Sequence, residues 1–218
     1  MTCFFTVTIL WIFSVCLHEF GHAIVAYYGG DTSVREKGYL TLNPLKYTHP
    51  VYSLLMPVIF MMVGGIGLPG GAVFIDRDRL RSRHWETAMS LAGPAMNVVL
   101  ILALCLPFWG HWIATDRDSV PAISLAFLIR LQISAVLFNL LPIPPLDGFQ
   151  ALYPWLPQEP RERLMGHSNL FLWGLVLVMW NVPAANGLFW EIVSHITSAL
   201  NIDPRLASLG RQAFEFWR

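Results

Sequence analysis

The chain alternates long apolar stretches with short polar ones. Helix must run for about 20 apolar residues to cross a hydrocarbon core. Four stretches meet or approach that length: 4–28, 85–109, 120–141 and 168–190. A fifth apolar run, 51–75, opens as VYSLLMPVIFMMV and then breaks into GGIGLPGG, with Gly64, Gly65, Gly67, Gly70 and Gly71 around Pro69. That density of Gly and Pro cannot hold a helix. It is followed by AVFID (Ala72–Asp76), β-branched and aromatic, which predicts a short strand. Non-helical backbone at membrane depth persists only where protein buries it or a wet cavity solvates it. The run therefore reads as a re-entrant hairpin with a short β-strand around 51–76. The stretch 187–200 fits either a short span or an interfacial helix. The expected fold is an all-α polytopic membrane protein with about five to six membrane segments. One domain spans 1–218, with a core over roughly 4–150 and accessory membrane segments near 168–200.

Composition agrees with a bilayer protein. The chain is 55% hydrophobic and 13% charged, and that charged share is about half of what a soluble domain carries. Net charge is zero, which gives no basis for a nucleic-acid partner. Cys3, Cys16 and Cys105 lie in apolar stretches at a spacing that suits neither zinc nor a disulfide framework, so they read as packing residues. No basic region precedes 4–28, and that stretch contains a polar cluster, so it reads as retained structure and not as a signal peptide.

Charge placement bears on topology. If 51–75 does not cross, residues 29–84 and 142–167 share one side. That side then carries Arg35, Lys37, Lys46, Arg77, Arg79, Arg81, Arg83, Arg161 and Arg163, against Arg117 alone in the 110–119 loop. If 51–75 crosses, the same residues divide six against four. The positive-inside rule prefers the first arrangement, with the amino terminus outside and 29–84 in the cytosol.

The first span contains His18-Glu19-Phe20-Gly21-His22. Positions i and i+4 share one face of a helix, so both imidazoles can meet one zinc ion, with Glu19 beside them to act on water. With seven His and seven Glu in the chain, chance would produce this pattern roughly 0.007 times. A polar packing patch is the plainer reading, but ionisable groups at membrane depth are costly and usually functional. A catalytic zinc site needs a third protein ligand and an open position. His49, His84, His111, His167 and His195 fall in loops or near span ends. Asp147 stands out because it closes Phe138–Gly148 (FNLLPIPPLDG), where three prolines stop the helix and Gly148 lets the backbone turn; on this segment alone a plain helix-ending loop Asp fits equally well. Arg130, inside the 120–141 segment, reads as snorkelling toward the outer face.

HEFGH in a first span, SLAGPAMN (Ser90–Asn97) in a later one and FNLLPIPPLDG resemble the zinc-dependent site-2 intramembrane proteases, in order and approximate spacing. TLNPLKYTHP (Thr41–Pro50) is similar to a linker in compact members without PDZ or CBS domains. The resemblance covers about residues 10–155. It implies that His18, His22 and Asp147 bind one Zn2+ per chain and that Glu19 is the catalytic base. It also implies that Asn97 and Asn139 lie near the substrate. Phe149 replaces a frequent second Gly after LDG, and Tyr47 and His49 depart from the linker pattern. Gly93-Pro94 fits either close helix packing or a direct catalytic role.

The expected activity is zinc-dependent hydrolysis of peptide bonds within or beside transmembrane segments. The partners are transmembrane protein substrates and the lipid bilayer. Substrate contacts fall on Asn97, Asn139 and the Gly70, Gly71, Val73 and Phe74 segment, whose strand edge can pair with an unwound peptide. The alternative is a non-hydrolytic zinc-binding membrane protein, for metal handling or client holding. Glu19 argues against it, because such a role needs the ligands but not the base. The expected location is the plasma (inner) membrane of a prokaryote, with the zinc site nearer the cytosolic side.

Overall fold

The computed structural model describes residues 1–46 and 74–217. Among them all regular structure is helical. The main elements are α1 (Thr2–Gly29), α2 (Ser33–Glu36), α3 (Arg83–Trp109), α4 (Val120–Asn139), α5 (Asp147–Leu152), α6 (Gln158–Gly166), α7 (Ser168–Asn181), α8 (Pro183–Ala199) and α9 (Pro204–Phe214). Helices α1, α3 and α4 are each long and apolar enough to span a membrane. The expected hairpin at 51–75, with Gly70, Gly71 and Val73, lies outside the described residues. Phe74–Asp76, the described end of the expected strand, is irregular.

Local chemistry sets the helix ends. Gly30 closes α1 at a φ of 125°, a conformation that suits glycine. Ser82 caps α3 by accepting from the Trp85 amide. Helix α4 stops at Asn139, just before the three prolines. The predicted span 168–190 is not one helix. Pro183 cannot continue the helix from α7, and α7 and α8 meet at 91°. The pair makes one broken span or a re-entrant loop, so the described residues hold three spans, or four with the bent pair.

Helix α4 is the inner helix. One face meets Cys3, Val7, Trp11 and Val15 of α1 through Phe127, Leu128, Leu131 and Ala135, with Phe214 of α9 closing the cluster. Another face meets Ile101, Cys105 and Phe108 of α3, Val193 of α8 and Leu206 of α9. All three cysteines are buried and free, as packing residues should be. Large apolar side chains such as Phe5, Ile9, Val99, Leu170, Trp173 and Leu188 face outward, the surface a bilayer would solvate. The Arg130 guanidinium stands 4.6 Å over the Trp190 ring, and Nη1 reaches Ser208 Oγ at 3.5 Å.

Helices α1 and α3 run antiparallel, with His22 opposite Met89 and Gly29 against Trp85. They approach closely: a Cβ at Gly21 would lie 2.8 Å from the Ala92 carbonyl oxygen. The Arg81 amide bonds the Gly29 carbonyl at 2.9 Å, so the chain enters α3 at the end where it leaves α1.

Candidate metal centre

His18 and His22 project from one face of α1, and both are buried. Their Nε2 atoms are 3.0 Å apart. Asp147, the first residue of α5, brings Oδ2 to 3.2 Å from His18 Nε2 and Oδ1 to 3.5 Å from His22 Nε2. One donor atom from each of the three residues falls within 4.8 Å of the others. Among the described residues these are the His, Cys, Asp and Glu side chains that form such a group. The structure thus brings together the three expected ligands, and Glu19 stays outside the set, buried beside His18.

The donor set fits zinc. Ligand atoms about 2.0–2.1 Å from a tetrahedral ion stand about 3.3 Å apart, close to the separations seen here. The His22 Nδ1 atom lies 2.7 Å from the Met89 carbonyl oxygen. A carbonyl only accepts, so Nδ1 carries the proton and Nε2 is the atom left for a metal. Asp147 Oδ2 and His18 Nδ1 are buried without a hydrogen-bond partner. Unmet polar atoms in such a place call for a missing ion or water.

Two glycines shape the cluster. A Cβ at Gly93 would stand 2.6 Å from His18 Nε2 and closer still to His22 Nε2, so no larger residue fits against these rings. Gly93 thus borders the site itself and does more than let helices pack. At Gly148 a Cβ would run into the Leu140 carbonyl and come 2.7 Å from that of Leu141, so the turn bearing Asp147 folds back onto the end of α4 only because glycine is there.

The other expected residues are less uniform. Asn97 is buried one turn beyond Gly93 on α3, with Oδ1 unpaired. Asn139 is buried at the end of α4. Phe74 is 67% exposed, and its carbonyl accepts from Lys37 Nζ at 3.0 Å. Gly70, Gly71, Val73 and His49 lie outside the described residues. Asp31 was not anticipated. It is wholly buried, and its carboxylate accepts from the Ser33 amide at 3.0 Å, the Ser33 hydroxyl at 2.6 Å and the Asp76 amide at 2.8 Å. Only the local half of this was visible, as the Asp-x-Ser pattern of a side-chain turn.

A His-His-Asp group that could hold a metal ion, with Glu19 beside it, thus lies among helices long and apolar enough to cross a membrane. The chain is 44% identical over 217 residues to the protein named "Putative zinc metalloprotease Rip2" from Mycolicibacterium smegmatis, covering 95% of this chain and 78% of that relative. The protein of the same name from Mycobacterium tuberculosis is 39% identical over 213 residues, with the same coverage. The protein named "Putative zinc metalloprotease YwhC" from Bacillus subtilis is 29% identical over 193 residues, 84% of this chain and 83% of the relative. No family model and no solved structure matches the chain. The chain belongs to the site-2 protease family of zinc metalloproteases.

Proposed function

We propose that this protein hydrolyses peptide bonds within or next to transmembrane segments of other membrane proteins, with His18, His22 and Asp147 as zinc ligands and Glu19 as general base. The observation that carries the ligand assignment is the convergence of three donors, from two distant parts of the chain, within 4.8 Å among apolar helices. Bound there, zinc supplies Lewis acidity, polarising a carbonyl and acidifying water. Glu19 takes the proton of the attacking water and returns it to the leaving amine, so the peptide bond breaks into an acid and an amine. The unpaired Asn97 Oδ1 suits a backbone N–H of an unwound substrate. Asn139 and the Gly70, Gly71, Val73 and Phe74 segment complete the substrate contacts in this reading. The non-hydrolytic alternative has no use for Glu19.

The test is cleavage of single-span substrates by purified protein. Glu19→Gln should retain zinc and lower turnover by about 100-fold to 10,000-fold, leaving substrate held. A photoreactive group at Asn97 or Phe74 should then crosslink to that substrate. Turnover near wild type would remove Glu19 as the base, and absence of crosslinks from a held substrate would remove those contacts.

The protein is an integral membrane protein in this reading, in the plasma (inner) membrane of a prokaryote, with its amino terminus outside and the metal centre nearer the cytosol. The nine-against-one charge division supports this orientation, as does the Gly29–Arg81 bond, which keeps 29–46 and 74–83 at one end of α1 and α3. Cysteines introduced in 76–84 should label from the cytosolic side and those in 111–119 from the other. Labelling of both from one side would contradict it.

A further inference from the structure

The turn that carries Asp147 is fastened from outside the metal centre. Arg77 is the fastening point. Its Nη1 donates to Glu86 Oε1 of α3 at 2.6 Å, and its Nη2 donates to Gln150 Oε1 of α5. The same guanidinium stands 5.2 Å from the centre of the Tyr153 ring. Gln150 then donates from Nε2 to the Pro145 carbonyl at 3.2 Å. One side chain thus ties together residues on both sides of Asp147, two before it and three after. The backbone leading into Arg77 is held too, by the Asp31 bond to the Asp76 amide and the Lys37 bond to the Phe74 carbonyl.

Helix α5 has six residues, too few to hold its own shape in water. Its position depends on what grips it. The His22 imidazole has a separate support, the Met89 carbonyl of α3. Glu86 lies on that same helix, less than one turn before Met89. Arg77 therefore links the α3 frame that orients His22 to the turn that presents Asp147. A planar fork suits this task, because it bonds two acceptors at once in fixed geometry.

We propose that Arg77 is a positioning residue for the metal centre, acting through Gln150 to hold Asp147 in ligand geometry against His18 and His22. This rests on the ligand assignment above. The experiment is zinc affinity of the full chain in detergent, by chelator competition, with thermal unfolding of the zinc-loaded and stripped forms alongside. Arg77→Ala and Gln150→Ala should each weaken zinc about tenfold, as losses around metal ligands do. The double variant should lose no more than the weaker of the two single variants, because both break the same Arg77–Gln150 link. Arg77→Lys keeps a charge beside Glu86 but cannot fork, so the loss should persist. Bracing without a role at the metal would lower the stability of both forms equally and leave affinity unmoved, which overturns the proposal. Multiplying losses in the double variant, or full rescue by Arg77→Lys, overturns it as well. If Arg77→Ala does not fold, Gln150→Ala decides alone. Zinc-loaded wild type with unmoved variants sinks only this proposal. A wild type that takes up no zinc sinks the ligand assignment and this proposal together.

Discussion

The two sides of the metal cluster are held in different ways. His18 and His22 sit within a 28-residue helix, and their spacing of four fixes their common face. Asp147 opens a six-residue helix whose place is set by side-chain bonds to residues 64 and 73 positions away. The histidine side owes its geometry to backbone periodicity and close helix packing. The aspartate side owes its geometry to the close turn at Gly148 and to cross-links. Changes outside the ligands should therefore alter the aspartate side in graded steps and the histidine side abruptly.

The largest effects are expected at the proposed ligands. His22→Ala and Asp147→Ala should each take zinc from about one per chain to background by elemental analysis, since a catalytic site has three protein ligands. The metal-free His22→Ala protein should unfold near the temperature of zinc-stripped wild type, because α1 keeps its contacts with α3 and α4. Full zinc in Asp147→Ala would remove that residue from the set and end the comparison.

Gly93→Ala is the sharper probe of the histidine side. Its methyl group meets both Nε2 atoms, and His22 cannot swing away without losing Met89. Zinc affinity should fall at least about 10-fold to 100-fold, with overpacking costing about 1–3 kcal/mol of stability. Wild-type affinity in a folded Gly93→Ala protein would show that the rings have room to move.

What the sequence made legible follows the same division. HEFGH announced itself because a helix converts a spacing of four into proximity. The spans at 4–28, 85–109 and 120–141 were readable from length and apolarity, and helices occupy each of them. Asp147 needed the proline-rich context and the family resemblance. Arg77 and Gln150 gave no signal, because two polar residues 73 positions apart carry no periodic mark. Arg130 was read from its depth in a span, while its partners Trp190 and Ser208 come from helices packed beside it. The break at Pro183 was a missed local signal: apolarity carried the reading across a residue that ends helices.

The smallest expected effect tests whether every cross-link on the aspartate side reaches the metal. Thr87 of α3 donates from Oγ1 to the Ala151 carbonyl at 2.8 Å and accepts from Trp155 Nε1 at 2.8 Å. It joins the same two elements as Arg77 but grips the far end of α5, four residues from Asp147. Thr87→Val keeps the shape and removes both bonds. Trp155 is 50% exposed, so its N–H can turn to water, and the net cost should be about 1 kcal/mol in thermal unfolding. Zinc affinity should stay within about threefold of wild type, well short of the tenfold loss expected around the ligands. A loss as large as that from Gln150→Ala would mean that α5 moves as a rigid unit, so that any grip along it sets Asp147. A loss confined to stability would place control of the ligand in the bonds that bracket Asp147 itself.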